Sequence, residues 1–156
     1  MDVEELITQF VACTLPKQEW THQAHLTVGL WHVQRYGAEG ALERLRTGIR
    51  RLNDSHGTPN TDTRGYHETI TRAYVLVLSD FLDGCPGAMP LPERVARLLA
   101  SPAAEKDYLL GFYSSERLMS PAARSGWSPP EHGSLTARAE TPVPPPVVPP
   151  AAGASG

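Results

Sequence analysis

The chain has 156 residues, of which 40% are hydrophobic and 20% are charged, a composition typical of a globular domain with its own core. With 14 Lys and Arg against 17 Asp and Glu, the formal net charge is -3, so the chain lacks the basic field that attracts nucleic acids or anionic membranes. No apolar run reaches the length of a membrane span, and the acidic first ten residues do not resemble a signal peptide. We therefore expect a cytoplasmic protein without nucleic-acid or membrane partners.

Apolar residues at helical spacing predict three helices in the first third of the chain. The first helix ends before Pro16, because the residue that precedes a proline is disfavoured in the α region. The second begins after the N-cap Thr21 and ends at Gly37, a natural C-terminal stop. The third covers about residues 38–53, and its arginines lie mostly away from the apolar stripe. We expect this arginine face to be solvated: Arg44, Arg46, Arg50 and Arg51.

A polar loop separates these helices from a second helical region that ends in a proline-rich segment. Three more helices are predicted, over residues 66–82, 92–100 and 103–112. From residue 129 onward the apolar side chains run out and proline favours extended, disordered chain. The sequence therefore predicts an all-α fold, a compact five- or six-helix bundle over residues 1–128 with a disordered Pro-rich tail over residues 129–156.

The second predicted helix is apolar around most of its circumference but carries one polar stripe. His22 and His25 lie on this stripe, and Gly29 leaves room above it. His22 would lie in the first turn, where exposed N–H groups disfavour a protonated ring and keep the imidazole neutral. On the fourth predicted helix, His67 shares the inward face. If these helices are neighbours, His67 faces His25, and imidazoles that converge from two helices form metal or acid–base sites in bundles.

Two neighbours of His67 are candidates for the same site. Glu68 could act as a general base, although its position one turn before Arg72 favours an i, i+4 ion pair. Tyr66 could position a substrate, although an aromatic residue at a helix start often only packs. The candidate catalytic residues are therefore His25, His67, Glu68 and Tyr66. The candidate metal ligands are His22, His25 and His67.

Four ordered blocks between Trp20 and Trp127 resemble those of a family of small bacterial helical proteins. The blocks are WTHQAHLTVGLWHVQRYG, RRLNDSHG, GYHETITRAYV and YSSERLMSPAARSGW. The resemblance implies that His22, His25 and His67 belong to the family pattern, together with the Tyr-His-Glu-Thr context of His67. It implies no activity, substrate or cofactor. The sequence departs from the pattern after residue 127 and adds the proline-rich extension.

Two functions of different classes fit this sequence. The first is a small enzyme or ligand-binding protein with a small-molecule pocket between the second and fourth helices. There, His25 and His67 would bind a transition metal ion or act as acid and base. The second is a non-catalytic helical interaction module that recruits a partner through its arginines or its tail. In this alternative the histidines are structural, as we expect for His32 and His56 under either hypothesis.

Overall fold

A computed structural model describes residues 1–136, and in this range the chain forms six α-helices and no β-strand. The helices are α1 (Val3–Val11), α2 (His22–Ser55), α3 (Glu68–Asp83), α4 (Leu91–Leu99), α5 (Ser115–Leu118) and α6 (Pro121–Ser125). The predicted all-α fold is confirmed. Within residues 1–136, every helix is too short or too polar to cross a lipid bilayer. The predicted tail lies outside the described residues from position 137 onward.

The second and third predicted helices join into the single element α2, which kinks at Gly37. Thr21 caps its start, and the hydroxyl oxygen accepts a hydrogen bond from the Ala24 N–H at 3.1 Å. At Gly37 the backbone leaves the helical region, with φ of 74° and ψ of 176°. Glycine tolerates this positive φ because it has no Cβ. The predicted boundary is therefore a kink within α2 rather than a loop between two helices.

The main core lies where α1 and α3 pack on α2. Gly29 brings α2 and α3 close together, since a Cβ atom there would lie 2.8 Å from Leu78 Cδ1. Gly48 does the same for α1, since its Cβ would lie 2.8 Å from the Phe10 ring. Full burial of each large aliphatic side chain contributes about 1.5–3 kcal/mol. The largest buried aliphatic side chains are Leu15, Leu26, Leu30, Leu52, Leu78 and Leu98.

The sixth predicted helix, over residues 103–112, is instead two 3-10 turns, Pro102–Ala104 and Tyr108–Gly111. Glu105 separates them with extended backbone, φ -67° and ψ 137°. This break lets Ala104 pack on the main core while Leu109 packs in a second cluster beside α3 and α5.

Residues 129–136 pack on the helical body, so the predicted disordered segment starts too early. The N–H groups of Glu131 and His132 both donate to the Phe112 carbonyl oxygen, at 2.9 and 3.0 Å. A carboxylate oxygen of Glu131 accepts from the Ser114 N–H at 2.7 Å, and Leu135 is buried in the second cluster. Proline richness alone did not reveal these partners, because they lie about twenty residues earlier in the chain.

Candidate functional site

A cavity of about 340 Å³ lies between α2 and α3, and we call it the α2–α3 cavity. Its walls are mainly apolar, and its few polar groups come from two histidines, a threonine and a tyrosine. This combination of an apolar lining with a few polar groups is typical of small-molecule sites. The lining residues are Trp20, His22, His25, Leu26, Gly29, Leu45, Ile49, Ile70, Thr71, Tyr74, Val75 and Leu78.

His25 is held in one orientation and one tautomer. Its ring stacks on the Trp20 ring with 3.6 Å between centroids, and Trp20 in turn stacks on Phe10. The Nδ1 atom lies 2.7 Å from the carbonyl oxygen of Thr21. Because a carbonyl oxygen only accepts, Nδ1 must carry the hydrogen. In the neutral ring, Nε2 then carries the lone pair and is available to accept a hydrogen bond.

The surroundings of His25 keep its imidazole neutral. Desolvation lowers the pKa of His25 to about 4, the Thr21 hydrogen bond opposes this shift, and His22 adds to it. Protein atoms crowd the ring enough to disfavour its charged form, although His25 is exposed by its accessible surface and its Nε2 can also bind water. At neutral pH the ring therefore offers an uncharged hydrogen-bond acceptor rather than a cation.

His22 adds a second neutral imidazole to the same wall. Its Nε2 atom is buried and makes no hydrogen bond of good geometry within residues 1–136, although the Ala104 backbone lies close enough to the ring to act on its pKa. Its ring meets Tyr74 edge to face at 5.9 Å. Burial lowers the pKa of His22, the backbone of Ala104 opposes this shift, and Lys106 adds to it. An unsatisfied buried polar atom costs about 1–3 kcal/mol of stability. A ligand or water that formed a hydrogen bond with His22 would recover part of this free energy.

The structure does not bring His67 into the α2–α3 cavity. His67 is the N-cap of α3, and its Nδ1 accepts a hydrogen bond from the Ile70 N–H at 3.1 Å. Its Nε2 donates to the Leu118 carbonyl oxygen at 2.7 Å. Both ring nitrogens are used, and burial lowers the pKa of His67. The expected meeting with His25 fails because a helical wheel treats His67 as part of the helix, whereas a cap has extended backbone.

Glu68 and Tyr66 belong to a separate buried network, and neither lines the cavity. The Glu68 carboxylate accepts two hydrogen bonds from Arg46, at 2.9 and 2.5 Å, and one from the Tyr66 hydroxyl at 2.8 Å. Arg46 is the main cause that lowers the pKa of Glu68. The predicted pair with Arg72 is wrong, since that guanidinium lies 4.6 Å from the Trp127 ring. The expectation that Arg46 is simply solvated is corrected by the same contacts.

The three predicted metal ligands are not assembled into one site. Within the described range 1–136, no group of three or more His, Cys, Asp or Glu side chains is placed to hold a metal ion. His22 and His25 stay together on the cavity wall, while His67 is bonded to the backbone near α5. The geometry therefore leaves a pair of neutral imidazoles facing an apolar space.

Two aromatic residues of the site were not among the predicted site residues. Trp20 directly precedes the N-cap of α2, and an aromatic residue at this position often packs back on its own helix. Tyr74 lies on the inward stripe of α3, and burial raises the pKa of its hydroxyl to about 12. Both signals are present in the sequence, but they indicate packing and do not distinguish a cavity wall from a filled core.

No family model matches the chain, and no curated protein or solved structure matches it. The family resemblance of the four sequence blocks consequently gains no support from these comparisons. Function has to be inferred from the cavity and its two histidines.

Proposed function

We propose that the protein binds a small, largely apolar molecule in the α2–α3 cavity and recognises one hydrogen-bond donor of that molecule through His25. The observation that supports this most strongly is the pair of neutral imidazoles, His22 and His25, on the wall of an otherwise apolar space. A volume of about 340 Å³ lies within the range of about 300–1,000 Å³ that small-molecule sites occupy.

Contrast with the other histidines supports a binding role for this pair. His32, His56 and His67 each make a hydrogen bond of 2.7 or 2.8 Å to a backbone carbonyl, as structural histidines do. His25 makes such a bond through Nδ1, as His32 does, but the His25 ring lines the α2–α3 cavity, whereas His32, His56 and His67 do not. His22 has a buried Nε2 without a partner within residues 1–136. The interaction-module alternative leaves the buried Nε2 of His22 unexplained, whereas the exposed His25 could be solvated under either function.

The low pKa of His25 favours binding over acid–base catalysis. A general base is most effective when its pKa lies near the working pH. At a pKa of about 4, the His25 ring is a weak base at neutral pH but still a good hydrogen-bond acceptor. The ligand class is therefore an apolar, preferably aromatic molecule that carries a hydroxyl or N–H group, and no bond needs to be made or broken.

The test compares two probes that differ only in the donor. The para-cresol molecule has the shape of para-xylene, with one methyl group replaced by a hydroxyl. We expect para-cresol to bind at least about fivefold more tightly, because one net hydrogen bond contributes about 1 kcal/mol or more. Titration followed by NMR shifts of the histidine ring protons measures both affinities.

His25→Phe is the matched variant for this experiment. Phenylalanine supplies an aromatic ring that can stack on Trp20 and has no ring nitrogen, at the cost of a slightly larger, six-membered ring. The Thr21 carbonyl oxygen keeps its hydrogen bond from the backbone N–H of residue 25, at 3.0 Å. We expect the variant to bind both probes with equal affinity. If neither probe binds the wild-type protein, or if His25→Phe retains the preference for para-cresol, the proposal is wrong and the interaction module becomes the better hypothesis.

A further inference from the structure

A second cavity, of about 530 Å³, lies between α1 and α2, and we call it the α1–α2 cavity. It has an aromatic floor. The His32 ring meets Phe10 edge to face at 5.5 Å and Trp31 at 4.8 Å, and Tyr36 lies 5.9 Å away. Phe10 and His32 are buried. These rings meet at steep angles rather than in one plane, so together they offer both faces and edges, and a planar aromatic ligand can make stacked and edge-to-face contacts with them.

The rim of the α1–α2 cavity carries two arginines. Arg44 and Arg51 are seven residues apart, which places them on the same face of α2 two turns from each other. The Arg44 guanidinium lies 3.9 Å from the centre of the Tyr36 ring, which orients it across the floor. Neither arginine forms an ion pair within residues 1–136, and Glu43 is the carboxylate that also lines the space. Two guanidinium groups therefore face one carboxylate, which leaves net positive charge.

His32 completes the floor with an uncharged acceptor. Its Nδ1 donates a hydrogen bond to the Val28 carbonyl oxygen at 2.8 Å, so in the neutral ring Nε2 carries the lone pair. Burial lowers the pKa of His32, and Arg44 adds to this shift. The positive charge of the cavity is thus confined to the rim and the floor is neutral.

We propose that the α1–α2 cavity binds a planar aromatic carboxylate, with its ring on the floor and its carboxylate between Arg44 and Arg51. Guanidinium groups bind carboxylates through two parallel hydrogen bonds, which a neutral amide cannot reproduce. This site is distinct from the α2–α3 cavity and does not depend on the function proposed for it.

The probe is 2-naphthoate, and its matched control is the neutral 2-naphthamide. We expect isothermal titration calorimetry to give at least about tenfold tighter binding of the carboxylate, because hydrogen bonds between two charged groups are about twice as strong as those to a neutral amide. The affinity for 2-naphthoate should fall as salt is raised, whereas the affinity for the amide should not.

Three variants locate the site. Arg44→Gln and Arg51→Gln should each weaken 2-naphthoate binding about tenfold. Arg35→Gln is the charge-matched control, because Arg35 also lies 5.7 Å from the Trp31 and Tyr36 rings but does not line the cavity. Loss of affinity in Arg44→Gln and Arg51→Gln places bound 2-naphthoate in the α1–α2 cavity, because neither arginine lines the α2–α3 cavity.

Three results would overturn this inference. The first is the absence of saturable 2-naphthoate binding, and the second is equal affinity for the carboxylate and the amide. The third is an equal loss of affinity in Arg35→Gln and Arg51→Gln, which would show a general charge effect. Circular dichroism and urea unfolding establish that each variant is folded. If Arg44→Gln unfolds, Arg51→Gln still decides the question, because Arg51 makes none of the ring contacts that hold Arg44.

Discussion

His67 caps α3, His25 is the fourth residue of α2, and burial lowers the pKa of each, yet the backbone treats their ring nitrogens differently. At His67 the backbone uses both ring nitrogens, through the Ile70 N–H and the Leu118 carbonyl oxygen. At His25 the backbone uses Nδ1 alone, and Nε2 keeps its lone pair beside an apolar cavity. His67 is therefore committed to the backbone through both ring nitrogens, whereas His25 keeps one acceptor on the wall of the α2–α3 cavity.

The same contrast holds for the regions around the two residues. The start of α3 is a dense polar junction, where Glu68 binds both Arg46 and Tyr66 and ties α3 to α2. The α2–α3 cavity is mainly apolar and leaves His22 Nε2 without a partner among residues 1–136. Substitutions at the junction should therefore cost stability, whereas substitutions at the cavity wall should change binding and pH response.

The largest effect on stability is expected for His67→Ala. The substitution removes the N-cap of α3 and leaves the Leu118 carbonyl oxygen without its donor, and together these losses should cost about 2–4 kcal/mol. Urea unfolding followed by circular dichroism gives the free energy of unfolding. His67→Asn is the control, since asparagine retains a capping oxygen and should recover part of the loss. A loss below about 0.5 kcal/mol for His67→Ala would contradict the structural role of His67.

Glu68→Gln should have an intermediate effect, of about 1–2 kcal/mol at pH 7, because it keeps the size of the side chain but removes its charge. Arg46 lowers the pKa of Glu68 below its usual 4.5, so the native state favours the ionised form. The stability advantage of the wild type should be fully present above pH 4.5 and should vanish as the pH falls through the native pKa of Glu68. Urea unfolding of both proteins from pH 7 to pH 3 measures this difference. A pH-independent difference would show that shape, not charge, explains the effect.

His25→Phe should have the smallest effect at pH 7, within about 0.5 kcal/mol, since stacking on Trp20 is retained. Its effect should appear on acidification. The native pKa of His25 is about 4, below the usual 6.5. Between these two pH values the imidazole is therefore protonated in the unfolded state and neutral in the native state. The wild type should therefore lose stability from pH 6.5 to pH 4, and His25→Phe should lose less. NMR titration of the His25 ring protons gives the pKa directly, and a value near 6.5 would contradict a desolvated ring.

Much of the fold is predictable from local chemistry. Thr21 caps α2 as predicted, because a hydroxyl at this position can accept a hydrogen bond from an N–H group of the first helical turn that has no partner within the helix. Gly37 interrupts the helix as predicted, although the chain kinks there rather than ending in a loop. His22 and His25 line the same cavity wall because they are three residues apart on one helix, α2, and therefore share a face of it.

The pairing of distant residues was less predictable. Glu68 binds Arg46, which is 22 residues away, in preference to Arg72 at i+4. Local spacing ranks the i+4 partner first, because it does not include the cost of burying a carboxylate. Once packing buries Glu68 between α2 and α3, the bidentate partner across the interface satisfies both of its oxygens.

Taken by itself, the sequence determined the all-α class, the caps and interruptions of the helices, and the polar stripe that carries His22 and His25. Each of these depends on contacts within a few residues of chain, which propensity and periodicity describe. Tertiary structure alone decided that both ring nitrogens of His67 bond to the backbone. It also decided that the Nε2 of His22 is buried without a partner within residues 1–136. The same holds for the arginines at the rim of the α1–α2 cavity. Those outcomes depend on which segments meet, and helical spacing contains no information about the partner of a side chain that lies on another element.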